Sequence, residues 1–549
     1  MKKKIVILGG GFGGVYTAVH LEKLMTFEER KAIEIAVVSH DNYMVFQPLL
    51  PEVISGSVEL NHVISPIRRL AKSARLYTRE VEAIDIATRT IKLSPGAKRA
   101  HSMITYDHLV IALGTRLDHS KIPGMREHAT PFKYLADALY LRNQLVRALE
   151  EAEAESDPEL RRSLLTFVVA GGGFSGVECI AEMNDFLRDA IRSYHHISEE
   201  NLRLVLLQRG DRILPELTED LSVFARDLLM KRGVEIQFGS ALKSLSADSA
   251  TVENSLSGQV SVIMTRTVVA TVPAGPHPLV SSLPLTKEKG RIVVDEGMEV
   301  RGMPGVWALG DCAWVKQVDG MVSPPTAQHA LRQARTCAHN IMASLRGTRK
   351  QAFTFTGLGK MGSLGRRSAV AQVFGFRLKG VMAWMLWRGV YATKFPGLDG
   401  QIRLLIDWFL DAFLPRDITQ LRLYEENDVH REHFEAGEEV FHEGEVGDKV
   451  YFIVHGQAHV FEGDDVIATL GPGELFGEKA LVCNQNRNAT VRAATALDAV
   501  VVRRRAFQEL LTNLPGLNAT IEAVMSHRMG RSVDLCCEVP STMSEERRM

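Results

Sequence analysis

The feature that most narrows what this chain can fold into is a glycine turn between an apolar strand and a helix, and it occurs twice. Residues 4–8 (Lys-Ile-Val-Ile-Leu) form a short β-branched run of the kind found in buried parallel strands. Gly9-Gly10-Gly11-Phe12-Gly13-Gly14 follows, then a helical pattern over 15–25 and a second apolar run over 33–38. The same order returns with an apolar run at 166–170 and the turn Gly171-Gly172-Gly173-Phe174-Ser175-Gly176. A helical pattern over 177–187 and an apolar run at 202–207 complete it. A GxGxxG turn lets backbone approach a pyrophosphate, while the helix start presents free amides and a partial positive charge. One such match is weak evidence. Two, each in strand–turn–helix context, predict an α/β chain with two Rossmann-like, three-layer dinucleotide-binding domains.

Two dinucleotide sites in one chain are explained most economically by FAD in one and NADH or NADPH in the other, with hydride passing between them. The strand-like run at 306–311 ends in Gly310-Asp311, where a carboxylate can accept from a ribityl hydroxyl of a flavin. Lys and Arg (65) balance Asp and Glu (66), so no global field draws nucleic acid. The six cysteines show no CxxC, which argues against structural zinc and against a redox dithiol, and no metal site is expected. The longest uncharged stretch, 267–286, carries Pro273, Pro276, Pro278 and Pro284 and cannot be one spanning helix. No secretory signal is evident at the N-terminus, so the chain is expected to be soluble or seated on a membrane surface.

Two further regions differ in character. Between Gly357 and Arg403 the basic residues Lys360, Arg366, Arg367, Arg377, Lys379, Arg388, Lys394 and Arg403 face one acid, Asp399. Ile402, Leu405, Ile406, Phe409, Leu410 and Phe413 share one helical face, with Arg403, Asp407 and Asp411 off it; Trp384, Trp387 and Trp408 lie nearby. This pattern fits a monotopic seat on an anionic lipid surface, or a helix pair that covers the flavin domain or makes a homodimer contact. Residues 434–504 are glycine-punctuated and strand-like, which predicts a β-roll.

Over residues 3–415 the sequence resembles the type II, non-proton-pumping NADH:quinone oxidoreductases. The resemblance rests on Ile5 to Gly14, Asn42-Tyr43 with Phe46-Gln47-Pro48-Leu49-Leu50, Tyr106 to Gly114, Phe167 to Glu178, Gly310-Asp311 and Ala327-Gln328. It implies that Gly9, Gly11 and Gly14, with Ser39, Ala112, Gly114, Gly310, Asp311 and Ala327, hold FAD. It implies that Gly171, Gly173, Gly176, Gln208 and Gly275 hold the nicotinamide dinucleotide. Glu178 would lie near the nicotinamide, and Gln47 and Gln328 beside the flavin ring where a quinone arrives. Three departures stand out. Ser39 replaces the acid at the end of the second strand, with Asp41 two residues on; Gln208-Arg209 stands where NADH-specific relatives carry an acid; and Arg332 replaces a second glutamine. Gln208 with Arg209 neither binds a ribose 2′-OH as an acid would nor repels a 2′-phosphate, so use of NADPH is expected.

Residues 434–504 resemble the cyclic-nucleotide-binding domains of the cyclic-AMP receptor and kinase regulatory families. The match is carried by Gly473 to Leu481 and Arg487 to Val491. By that resemblance Gly477 and Arg487 meet a cyclic phosphate, Glu478 a ribose 2′-OH, and Asn488 stands at the position that leans towards cAMP. The implied organisation is an FAD domain (1–160 and 286–350), an NAD(P)H domain (161–285), a membrane-interface helical segment (351–424), a cyclic-nucleotide domain (425–515) and a partly disordered tail (516–549). The expected function is electron transfer from NAD(P)H to a membrane quinone at the cytoplasmic side of the cell membrane, modulated by a cyclic nucleotide. A soluble reductase with another acceptor and a redox signalling protein are the alternatives.

Overall fold

The computed structural model describes residues 2–94, 102–118, 121–255, 257–272, 274–414, 416–421, 429–445, 447–463, 465–482, 486–504, 506–507 and 510. The tail expected to be disordered lies outside them. The chain divides into two compact units, 1–420 and 421–549.

The first unit contains two parallel sheets of the same design. In one, Lys3–Leu8 lies at the centre, flanked by Ile33–Ser39 then Arg75–Thr78 on one side and by His108–Ile111 then Val306–Ala308 on the other. In the second, Thr166–Ala170 is central, flanked by Arg203–Gln208 then Val234–Phe238 and by Thr267–Ala270 then Ala129–Pro131. Ile5 to Leu8 and Phe167 to Val169 are fully buried, as helices on both faces of a parallel sheet require. The turns carry the helices Phe12–Leu24 and Phe174–Ala190. Ala327–Arg346 returns to pack along Phe12–Leu24, its small residues Ala330, Ala334 and Ala338 allowing close approach.

Two expectations need correction. The second sheet takes its edge strand Ala129–Pro131 from well before residue 161, and helix Leu135–Ala154 follows that strand. Three residues ending in proline show no strand periodicity of their own. The segment 351–424 is also not wholly helical. It begins with an antiparallel sheet, Gly359–Ser363, Ala369–Val373 and Phe376–Gly380, before the helices Val381–Lys394 and Leu398–Leu410.

The second of these helices turns Leu404, Asp407 and Trp408 inward. Asp407 is buried, meets the His62 ring at 2.7 Å and accepts from the Glu59 amide at 3.1 Å. Trp408 donates to buried Glu52 at 2.7 Å, and Arg388 lies 3.6 Å from Glu52 and 3.5 Å from Asp411. Ile402, Leu405, Ile406, Phe409 and Phe413 face outward, each at least half exposed. Among the described residues no helix is long and apolar enough to cross a membrane.

The second unit is a roll of two four-stranded antiparallel sheets. One runs Val429–Phe434, Leu497–Arg503, Lys449–His455, Leu475–Phe476; the other runs Glu439–Phe441, Thr490–Ala493, Ala458–Glu462, Asp465–Leu470. Phe441, Tyr451, Phe476 and Leu497 fill its core, with Tyr451 and Phe476 stacked at 5.0 Å.

Candidate active site

Both glycine turns are built by the same steric rules. Gly9 and Gly171 have φ of +118° and +119°, where a side chain is strained. A Cβ at Gly14 would strike the Gly9 carbonyl, and one at Gly176 the Gly171 carbonyl, so the helix can seat only on glycine. Gly11 and Gly173 are different. A Cβ on either would meet nothing within 4 Å, so the backbone there faces open space. These are the positions from which a pyrophosphate can be cradled, and the residues fit that group.

The first turn forms the floor of a cleft of about 440 Å³. Gly9, Gly11, Ser39, Gln47, Ala112, Gly114, Gly310, Asp311 and Ala327 line it, which brings together the residues expected around FAD, apart from Gly14 beneath the turn and Gln328. Gly310 has φ of +73°, and its amide donates at 2.8 Å to buried Gln333 on the returning helix, which aims Asp311 into the cleft. Burial raises the Asp311 carboxyl, while Lys133 and Arg291 act against that. The walls also hold residues the motifs do not mark: Asp41, Arg79, Arg116, Lys133 and His277. Burial, with Arg116 and Lys133, pushes His277 down to about 4, so its ring is neutral near pH 7. Gly275 pairs with Arg116 across a two-stranded antiparallel ladder, Thr115–Leu117 with Ala274–Pro276, and a Cβ on it would meet Asp118.

At the second turn the strand-end residue is spent on the fold. Gln208 accepts from the Gly172 amide at 3.0 Å and donates to the Arg212 carbonyl at 2.8 Å. Arg209, next in sequence, is exposed. Glu178, on the first turns of helix Phe174–Ala190, accepts from the Ser363 amide at 2.9 Å. Burial pushes its carboxyl up to about 8, and Glu182 one turn on is also raised to about 8 by burial.

Gln328 is not among the residues lining the cleft. Its amide donates to the Gly359 carbonyl at 3.2 Å and accepts from the Leu358 amide at 3.2 Å, which pins that loop. Arg332 lies 4.1 Å over the Phe355 ring and donates to the Gln328 carbonyl. Cys179, Cys312 and Cys337 are buried, and burial pushes the Cys312 thiol up to about 11, which suits packing rather than redox exchange.

In the roll, Arg487 is turned inward. It donates to the Gly477 and Lys449 carbonyls, each at 2.8 Å, and stacks 4.0 Å from the Phe441 ring. Its Nε is buried with no hydrogen-bond partner, an orphaned donor that fits an anion. Glu478 is buried beside Gly477, whose φ is +82°, and Asn488 is exposed.

Comparison with known proteins agrees with this division. Residues 3–334 match the pyridine nucleotide-disulphide oxidoreductase family, and residues 431–513 match the cyclic nucleotide-binding domain. The chain is 31% identical to the demethylphylloquinone reductase of Synechocystis, over 74% of this chain and 96% of that one. It is 29% identical to the type II NADH:quinone oxidoreductase of Mycobacterium tuberculosis, over 79% and 93%. Among solved structures, NDH2 of Plasmodium falciparum shares the fold with a TM-score of 0.70 at 19% identity, covering 76% of this chain and 100% of that one. The sulfide:quinone oxidoreductase of Aquifex aeolicus gives 0.57 at 18%, over 75% and 96%.

Proposed function

The chain belongs to the pyridine nucleotide-disulphide oxidoreductase family, and on that premise we propose that it is a flavoprotein NAD(P)H:quinone oxidoreductase that pumps no protons. The overall reaction is NAD(P)H + quinone + H⁺ → NAD(P)⁺ + quinol. The observation that carries this reading is the pair of cradles open at Gly11 and Gly173, in one unit. The curated relatives named as quinone reductases support it over nearly their full length.

FAD, once bound, supplies the two-electron chemistry; the chain supplies geometry and charge. Gly9, Gly11 and Gly14 admit its pyrophosphate, and Asp311, aimed by Gln333, takes a ribityl hydroxyl. The helix that begins at Ala327 directs its positive end at the cleft, which favours negative charge there. Gly171, Gly173 and Gly176 hold the nicotinamide dinucleotide. Gln208 is committed to Gly172 and Arg212, so this strand end sets no acid against a 2′-phosphate, and exposed Arg209 pairs with it. The reductant is therefore NADPH as well as NADH. Burial raises the Glu178 carboxyl to about 8, which favours its protonated form at neutral pH. Gln47, exposed at the cleft, meets the quinone, while Gln328 acts by holding the loop at Leu358 and Gly359.

The outward apolar face of Leu398–Leu410 supports a peripheral seat on a lipid surface, where quinones dissolve. The cytoplasmic side of the cell membrane suits a NAD(P)H-consuming enzyme. The roll binds a cyclic nucleotide, cAMP by the sequence, with the unpartnered Arg487 Nε meeting its phosphate and buried Glu478 its ribose, and this ligand modulates activity.

The test is purification of the full chain, an absorption spectrum and anaerobic titration with NADH and NADPH, followed by turnover with quinone in anionic liposomes. A yellow protein that either nucleotide bleaches and quinone re-oxidises is expected. A colourless protein that refuses FAD would overturn the enzymatic reading. Calorimetry with cAMP, in wild type and Arg487→Ala, tests the roll separately.

A further inference from the structure

Lys133 reaches the first cleft from the second lobe. It follows the edge strand Ala129–Pro131, and its backbone is pinned where helix Leu135–Ala154 begins. Asp137 accepts from the Lys133 and Tyr134 amides at 2.8 and 2.7 Å. Its Nζ donates to the Thr115 hydroxyl at 2.7 Å and to the Thr115 carbonyl. Thr115 follows Gly114 at the cleft wall, so the ammonium is tethered at both ends of its side chain.

The acid that acts on it within the cleft, Asp311, is shared. Asp311 acts on Lys133 within the cleft, but Arg291 also acts on Asp311 and is itself held 5.3 Å from the Trp314 ring. One carboxylate thus answers two cations. Arg116, also on the wall, adds a third, and His277 contributes no charge near neutral pH. The acids Asp41 and Glu80 and the cation Arg79 also line the cleft, and Asp41 acts on Tyr134, the residue after Lys133. A hydride leaving NAD(P)H carries one negative charge to its acceptor and leaves NAD(P)⁺ behind. In a partly desolvated cleft a fixed cation stabilises that charge far better than water-screened groups do.

We propose that Lys133 is the fixed cation that sets how readily the bound flavin is reduced, an inference that rests on FAD occupying the first cleft. It is a positioning and electrostatic residue supplied by one lobe to the cofactor of the other. The test uses full-length holoprotein as wild type, Lys133→Gln and Lys133→Arg. The readouts are flavin content, midpoint potential by spectroelectrochemistry, and the dissociation constant for sulfite, a probe of positive charge beside the ring. Lys133→Gln is expected to retain FAD, to bind sulfite about tenfold more weakly, and to shift the reduced-to-oxidised equilibrium about tenfold. That equals about 30 mV for a two-electron couple. Lys133→Arg should stay near wild type. A Lys133→Gln holoprotein with unchanged potential and sulfite affinity overturns the proposal. So does one that only loses FAD affinity, since Lys133 would then serve retention. A wild type that takes up no FAD defeats the functional reading instead.

Discussion

The two glycine turns share a backbone and differ in what surrounds them. Both begin on a glycine near φ of +118°, both close on a glycine that no side chain could replace, and both leave the third glycine open. At the first, Ser39 packs against Gly10 and the cleft gathers charged groups from distant segments. At the second, Gln208 is locked to Gly172 and Arg212, and a bare arginine follows. The steric pattern shows that a dinucleotide can bind. The strand-end and wall residues would decide which one.

The strongest way to break this comparison is to fill each open face in turn. Gly11→Asp should fold, because its Cβ meets no atom, but its carboxylate would repel a pyrophosphate. It is expected to purify colourless, read by absorbance. Gly173→Asp should stay yellow and lose reduction by either nucleotide by roughly 100-fold or more in stopped flow. If both variants lose flavin, the two sites are not separable. Next in size, Arg209→Ala should lower kcat/KM for NADPH about tenfold, the worth of one charge-assisted phosphate contact, with NADH unchanged. An equal loss for both substrates would remove the assignment of the second site to NADPH.

The smallest effect sharpens the comparison through Glu178. Its carboxyl lies near 8 in the folded chain and in the ordinary range when unfolded. The folded state therefore binds more protons between those values, and stability falls as pH rises towards 8. Glu178→Gln removes part of that slope, while Glu182 retains a similar one. Between pH 6 and 9, thermal melts of the variant should fall about 2–4 °C less than wild type. Parallel curves would mean the carboxyl is not buried in solution as it is here.

Sequence made the strands, turns and most cleft residues legible because they follow local rules: apolar runs, glycines at required φ, a carboxylate after a strand. Ser39, Asp311 and Ala327 came with those motifs and line the cleft. Lys133, Arg116, His277 and Gln333 had no such signal, since their contacts span segments far apart in sequence. Periodicity also shows which residues of Leu398–Leu410 share a face, but not that Asp407 is the buried one; that depends on His62 and Glu59 in another element. The bonds of Gln328 were illegible for a related reason, since its amide is engaged by a loop 30 residues on.

That outward greasy helix separates how the protein would reach a bilayer from how it would leave. Arrival would depend on Arg403, Lys394 and neighbouring basic residues, so capture would slow as ionic strength rises. Departure requires wetting Ile402, Leu405, Ile406, Phe409 and Phe413 together, a cost salt does not relieve. Once seated, the molecule should resist a salt wash and yield to detergent, with a residence time governed by hydrocarbon contact alone.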